Sequence, residues 1–405
     1  MKFIPLAELK GLNQTVVNGY IEYLTEMLKN GFFYSEDYDL TSSAQRAISK
    51  KAGSLWVETY DLRYVWNYPG CKELLVQSIS LSWVIPVIQG YVGIKEIDIK
   101  GGKGQLVLIS RRRHAKAGLR YISRGIDASG NVANFVETEQ LLYTNKLVSS
   151  FIQIRGSIPL FWQQSGVSNE LVFTKSLFHS KEPLALHLGS ILKEYGSTVV
   201  LNLLNQVKSN EQKLINAYEP ILAEFQKTQT SDQFLKYIYF NYHKRCPGHN
   251  LKELNELFHK WRRVLSLFGY YKVNSRLQTG VIRTNCLDCL DRTNVVQGNL
   301  AIYIMKQQLA DIEIEYNSDI DKKMKELWTD NGDYISIQYS GDKSVISEVM
   351  LNGEQGFFGK ISHVKCSVNR LFKGWFDDDF GQQAIDLFLS KEPFCINGKD
   401  GYKCR

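Results

Sequence analysis

The stretch from Gly280 to Ile304 constrains this chain more than any other. Gly280-Val281-Ile282 is a short apolar run after the break at Gln278-Thr279 and reads as a buried strand. Thr293 or Asn294 then suits the cap of a helix whose apolar positions Val296, Leu300, Tyr303 and Ile304 recur at three and four residues. Between the two lies Arg283-Thr284-Asn285-Cys286-Leu287-Asp288-Cys289-Leu290-Asp291-Arg292-Thr293-Asn294. A strand, a tight loop and a helix N-terminus point successive backbone N–H groups inward, and the positive end of the helix dipole favours an anion there. The expected object is a phosphate cradle lined by Leu287, Cys289, Leu290, Thr293 and Asn294, with Arg283 and Asn285 supporting it.

Cys286 and Arg292 have the Cys-x5-Arg spacing that turns a thiolate and a guanidinium toward one phosphoryl group. A free thiol has a pKa of about 8.5, and a helix N-terminus with a neighbouring Arg lowers it toward neutrality. Cys286 is then the nucleophile and forms a phosphocysteine, while the planar fork of Arg292 matches the equatorial phosphoryl oxygens. A leaving alkoxide needs a proton. The loop carries two carboxyls, Asp291 as the preferred general acid and Asp288 as an aid to proton transfer or loop shape. Water completes the cycle, so neither metal nor cofactor is called for. Cys286 and Cys289 also read as a lone C-x-x-C, a redox pair or half of a zinc site, but no second C-x-x-C or paired-His segment completes one.

The string R-T-N-C-L-D-C-L-D-R-T-N at 283–294 resembles the signature of the Sac (suppressor of actin) domain phosphoinositide phosphatases. So do W-V-I-P-V-I-Q-G-Y at 83–91, L-I-S-R-R at 108–112, A-G-L-R-Y-I-S-R-G-I-D at 117–127, G-N-V-A-N-F-V-E-T-E-Q at 130–140, R-G-S-I-P-L-F-W at 155–162 and W-T-D-N-G-D at 328–333. Several long motifs in one order, from about residue 31 to 389, make the resemblance specific. It implies hydrolysis of a phosphomonoester on the inositol ring of a phosphoinositide. The C-terminal match, with D-L-F-L at 386–389, looks closest to members acting on monophosphorylated lipids, so phosphatidylinositol 4-phosphate is expected first and the 3-phosphate second. It also implies that His243, in the Tyr239 to Cys246 motif, and Asn331 and Asp333 support the loop. Much of the family's β-rich N-terminal lobe has no counterpart, and a basic segment is replaced by Leu351 to Gly356, which removes positive charge where relatives present it.

The expected fold is α/β, a mixed sheet flanked by helices with the Cys-x5-Arg loop between a strand and a helix. Residues 1–82 are expected to be a truncated N-terminal lobe, 83–390 the catalytic domain and 391–405 a tail. An amphipathic helix should end at Gly31, strands should dominate from Trp83 to Trp162, and helices from about 176 to 268. Asn131, Asn134, Glu137 and Glu139 read as supports rather than reactants.

Seven scattered cysteines without framework spacing, and no secretory signal before Met1-Lys2-Phe3, point to a reducing cytoplasmic setting. The most apolar window, Leu75 to Val92, is interrupted by Gln77, Pro86, Gln89 and Gly90, which is too broken for a membrane span. The formal charge is +7, and from Lys100 to Arg124 there are eight Lys or Arg and no Asp or Glu. Arg111, Arg112, Arg113, Lys116 and Arg120 are the expected contacts to headgroups or an anionic membrane surface, on whose cytosolic face the chain would sit peripherally, and Arg155, before Gly156-Ser157, is expected either to fix the loop or to touch a headgroup phosphate. Nucleic acid is disfavoured because aromatic stacking spacing is absent; protein partners are not specified by the sequence. Two other classes compete: a protein tyrosine phosphatase, which usually carries its acid on a separate loop, and a catalytically weak or inactive phosphoinositide-binding scaffold, for which the thiol is dispensable.

Overall fold

The computed structural model describes residues 14–29, 31–49, 56–76, 84–99, 102–145, 147–164, 170–229, 233–344 and 378–389. The strands in chain order are β1 (Phe32–Phe33), β2 (Ile88–Ile99), β3 (Gly102–Arg112), β4 (Val136–Tyr143), β5 (Val148–Arg155), β6 (Trp162–Gln164), β7 (Leu171–Phe173), β8 (Ser197–Asn202), β9 (Leu235–Tyr239), β10 (Tyr271–Lys272) and β11 (Gly280–Asn285). The helices are α1 (Gln14–Lys29), α2 (Ala44–Ser49), α3 (Trp56–Thr59), α4 (Tyr68–Val76), α5 (Lys181–Tyr195), α6 (Ser209–Thr228), α7 (Tyr242–Arg245), α8 (Lys252–Lys260), α9 (Arg262–Phe268), α10 (Asp291–Ala310), α11 (Ser318–Ser340) and α12 (Asp378–Phe388).

One mixed sheet runs β1-β2-β3-β4-β5-β11-β8-β9, with β10 beside β5 and a separate β6-β7 hairpin. From β1 to β5 neighbours are antiparallel, and β5, β11, β8 and β9 are parallel. The parallel half alternates with helices, as parallel strands require crossovers. Successive strand residues face opposite sides, which splits the core in two. Val199, Leu201 and Ile282 join α8, α9, α10 and α11 on one face, and Val200 and Val281 join α5 and α6 on the other. Burial on both sides explains why these two strands read as continuous apolar runs. Each fully buried Leu or Ile there contributes roughly 1.5–3 kcal/mol.

The expected mixed sheet, its strands between 84 and 162, and its helices between 176 and 268 are present. Gly31 follows α1 at φ 81°, and α1 begins at Gln14 within the described residues. The helix after the loop starts at Asp291 with Leu290 at its cap, three residues before Thr293 and four before Asn294, the two caps expected. Thr293 is instead inside the first turn, where its hydroxyl reaches the Cys286 sulfur. The expected boundary at 82/83 lies outside the described residues, as do 351–356 and 391–405. On its N-terminal side Phe32 pairs with Gln89, so β1 extends the same sheet.

The basic run corrects one expectation. Arg111 is fully buried, with guanidinium nitrogens 3.0 Å from Glu137 and 2.7 Å from Glu139. Arg46 makes two 2.7 Å bonds to the same Glu137. Arg112, also buried, donates to the Gln89 side chain at 2.6 Å and to the Gln338 carbonyl, over the Trp66 ring. Arg113 lies 3.9 Å from the Phe135 ring centre and 3.5 Å from Glu194. None of the three forms an outward headgroup surface. The partners of Arg111 sit on β4, more than twenty residues further on, where the register sets Arg111 opposite Glu137. A cation counted along the chain looks solvated when its anion arrives only through strand pairing.

Candidate active site

Cys286 follows β11 directly, at the end of the parallel half of the sheet, and Asp291 opens α10. Five residues, 286–290, turn the chain from strand to helix. Cys289 makes the turn possible by adopting φ 55°, a left-handed conformation uncommon outside glycine. That conformation sends its N–H back to the Cys286 sulfur at 3.0 Å. The Thr293 hydroxyl donates to the same sulfur at 3.4 Å. The Cys289 thiol donates to the Gly156 carbonyl at 3.0 Å.

These contacts divide the roles of the two thiols. Burial alone would raise the Cys286 thiol, but hydrogen bonding from Cys289, the positive charge of Arg292 and the Thr293 hydroxyl outweigh it and bring it down to about 6. Burial pushes the Cys289 thiol well up, and the neighbouring Cys286 sulfur adds to that. One sulfur is therefore ionised near neutrality while the other stays protonated.

Arg292, in the first turn of α10, is turned toward the loop after β8. Its Nη1 donates to the Leu203 carbonyl at 3.1 Å and to Glu211 at 2.8 Å, and its Nη2 donates to Glu211 at 3.2 Å. Glu211 is almost completely buried and also accepts the Asn205 N–H at 2.8 Å. The Leu203 N–H donates to the Asn285 carbonyl at 2.9 Å, next to the cysteine.

The two loop carboxyls have different surroundings. Asp288 lies 2.7 Å from Arg124 and 3.1 Å from Arg120. Burial would raise its carboxyl, yet those guanidiniums hold it well below the usual carboxylate range. Of its two expected parts, an aid to proton transfer or to loop shape, these ion pairs favour the second. Asp291 accepts from the Ser344 hydroxyl at 2.6 Å, and the Ser344 N–H donates to Asp333 at 3.0 Å.

A shell of buried polar side chains holds the loop from behind. Arg283 donates to the Ser157 carbonyl at 2.7 Å, to Asn285 at 3.2 Å and to His187 at 3.1 Å. Asn285 donates to Asn202 at 2.8 Å, tying β11 to β8. Asn294 donates to the Trp328 carbonyl at 2.7 Å, while its oxygen receives Asn331 at 2.9 Å and Arg155 at 3.1 Å. Helix α11 comes this close because residue 332 is glycine, where a Cβ would meet the Asn294 amide nitrogen at 2.6 Å. Arg155 is fully buried beneath the loop and bonded to Asn294, which favours the loop-fixing part expected of it and corrects the expected headgroup contact.

Arg124 carries the Leu287 carbonyl at 3.1 Å, and the Asp288 carbonyl receives the Asn134 side chain at 3.1 Å. Lys116 is half-buried, and Arg120 is committed to Asp288. His243 is exposed on α7, edge-on to Tyr242 with ring centres 6.2 Å apart. Sequence reasoning missed Glu211, Arg124 and the sulfur-facing hydroxyl of Thr293. Glu211 sits 81 positions before Arg292 in an ordinary polar helix start, so only tertiary contact discloses it.

The family model described as the SacI homology domain matches residues 1–247, more than half of the chain. The chain belongs to the SacI homology domain family. Among the relatives of this SacI homology chain, the phosphatidylinositol-3-phosphatase SAC1-A of Danio rerio is 35% identical over 379 residues, covering 89% of this chain and 63% of that protein. The polyphosphatidylinositol phosphatase INP53 of Saccharomyces cerevisiae is 34% identical, covering 92% of this chain and 36% of that protein. The phosphatidylinositide phosphatase SAC2 of Mus musculus is 32% identical, covering 90% and 36%. The chain spans less than two thirds of the length of each. Among the described residues no helix is long and apolar enough to cross a membrane.

Proposed function

We propose that this chain is a phosphoinositide phosphatase that removes a phosphate from the inositol ring through a phosphocysteine intermediate. The observation that carries the reading is the buried Cys286 sulfur, which receives the Cys289 N–H and the Thr293 hydroxyl, contacts that with the charge of Arg292 favour the thiolate. The thiolate attacks phosphorus in line, the P–O bond to the inositol ring breaks, and the departing oxygen takes the proton of the Asp291 carboxyl. Water then attacks the phosphocysteine, Asp291 takes the proton back, and inorganic phosphate leaves with the thiolate restored. Arg292 grips the equatorial oxygens throughout. Asp288 keeps its charge and the shape of the loop.

The substrate is a monophosphorylated phosphoinositide, the 4-phosphate first and the 3-phosphate second; the name of the zebrafish relative speaks for the latter. The chain works peripherally on the cytosolic face of an anionic membrane, and Arg111, Arg112 and Arg155 are too deeply buried to make that contact. The deciding experiment measures phosphate release from a panel of short-chain phosphoinositides, alongside phosphotyrosine peptide, with wild type and Cys286→Ser in parallel. Release from a monophosphorylated lipid that vanishes in Cys286→Ser is the expected result. Equal rates in both proteins, or release from the peptide alone, refutes the assignment.

A further inference from the structure

The guanidinium of Arg292 has five N–H groups, and the structure spends them unevenly. The two on Nη1 go to the Leu203 carbonyl and to one oxygen of Glu211, and Nη2 gives one to the other oxygen. That contact occupies the end-on edge of the fork. The side-on edge, Nε–H and the second Nη2–H, consists of two parallel donors, and parallel donors are what a phosphoryl group accepts bidentately.

Resting on the phosphatase reading above, we infer that Glu211 is a positioning residue, acting through Arg292 to present the side-on edge of its guanidinium to the phosphoryl group. Several observations converge on this role. Glu211 is only 2% exposed, so its charge is not a solvated surface charge, and its ion pair is with Arg292. Burying an anion behind a phosphate site costs positive potential, which a merely electrostatic design would avoid. What it provides is geometry: a long side chain is fixed in one orientation before substrate arrives. The anchor is itself fixed, because Glu211 accepts the Asn205 N–H, and Leu203 links Arg292 to Asn285 just before the nucleophile. The loop after β8 thus sets the distance between nucleophile and guanidinium.

A double-mutant cycle separates this role from plain support of the fold. Phosphate release from a short-chain phosphoinositide is measured for wild type, Glu211→Gln, Arg292→Lys and the double variant, with the melting temperature of each. Where turnover is too low, the dissociation constant of orthovanadate, an analogue of the pentavalent transition state, closes the same cycle. Glu211→Gln is expected to lower kcat/KM and vanadate affinity by roughly 10- to 100-fold, less than the roughly 10²- to 10³-fold cost of losing a preorganised donor outright, since the Arg292 donors remain but are no longer aimed. In the Arg292→Lys background the same change should cost less than about twofold, since nothing remains for Glu211 to aim. Equal losses in both backgrounds overturn the inference, because Glu211 would then act independently of Arg292. So does a Glu211→Gln enzyme within twofold of wild type; if that activity still requires Cys286, the phosphatase reading stands and only the positioning role falls. A wild type that releases no phosphate from any phosphoinositide defeats both.

Discussion

The Thr293 hydroxyl offers the sharpest test of how the loop ionises its cysteine. It lies 3.4 Å from the Cys286 sulfur and is fully buried, so Thr293→Val keeps the branched shape and deletes only the donor. A hydrogen bond to a charged acceptor is worth about 1.5–3 kcal/mol. At this length the lower end applies, which corresponds to a rise of about one pKa unit. The thiol should therefore move from about 6 to roughly 7. At pH 6.5 the thiolate fraction falls from about three quarters to about one quarter, a threefold drop in the rate of alkylation. The assay is iodoacetamide modification of the peptide containing Cys286 against pH, followed by mass spectrometry, with melting temperature as the control for folding. The sign is fixed: the variant midpoint moves up, and the difference disappears well above pH 8, where both thiols are ionised. A midpoint unmoved by more than about 0.3 unit in a normally folded variant refutes a role for the hydroxyl and leaves Cys289 and Arg292 to hold the thiolate.

Two further outcomes check the division of labour around the loop. Asp291→Asn should lower kcat on an inositol lipid by about 10²- to 10⁴-fold, while p-nitrophenyl phosphate, whose phenolate departs without a proton, is spared in the phosphorylation step; equal loss on both in single-turnover measurements argues against Asp291 as the acid. Arg111→Met leaves the buried Glu137 and Glu139 short of a counter-charge and should destabilise the fold by about 3–5 kcal/mol in urea unfolding; a variant that unfolds like wild type but binds anionic vesicles poorly would return Arg111 to the membrane surface.

The strand and helix that flank the Cys286 loop were legible from residues 280–304 alone. An apolar strand, a Cys-x5-Arg loop and a helix with apolar residues every three to four positions depend on short-range rules, and β11 and α10 obey them. The length of the first helical turn was not legible, since Leu290 caps it without the side-chain bond that Thr293 would have supplied in isolation. Asn331 and Asp333 stood out through the motif that carries them, and they reach Asn294 and Ser344 as supports.

What the sequence could not state was the pairing of charges. Arg111, Arg112 and Arg113 formed an unbroken basic run on paper, and strand register turned Arg111 onto Glu137 and Glu139. Asp291 was preferred over Asp288 as the acid without knowledge of their surroundings, which folding supplied by bringing Arg120 and Arg124 to Asp288 and Ser344 to Asp291. Glu211 was invisible until the loop after β8 crossed the start of α10. Backbone preference and hydrophobic period act within a few residues of chain, so a single sequence exposes them. Electrostatic partnership acts across a few ångströms of space, and only the closed sheet decides which distant residues share that space.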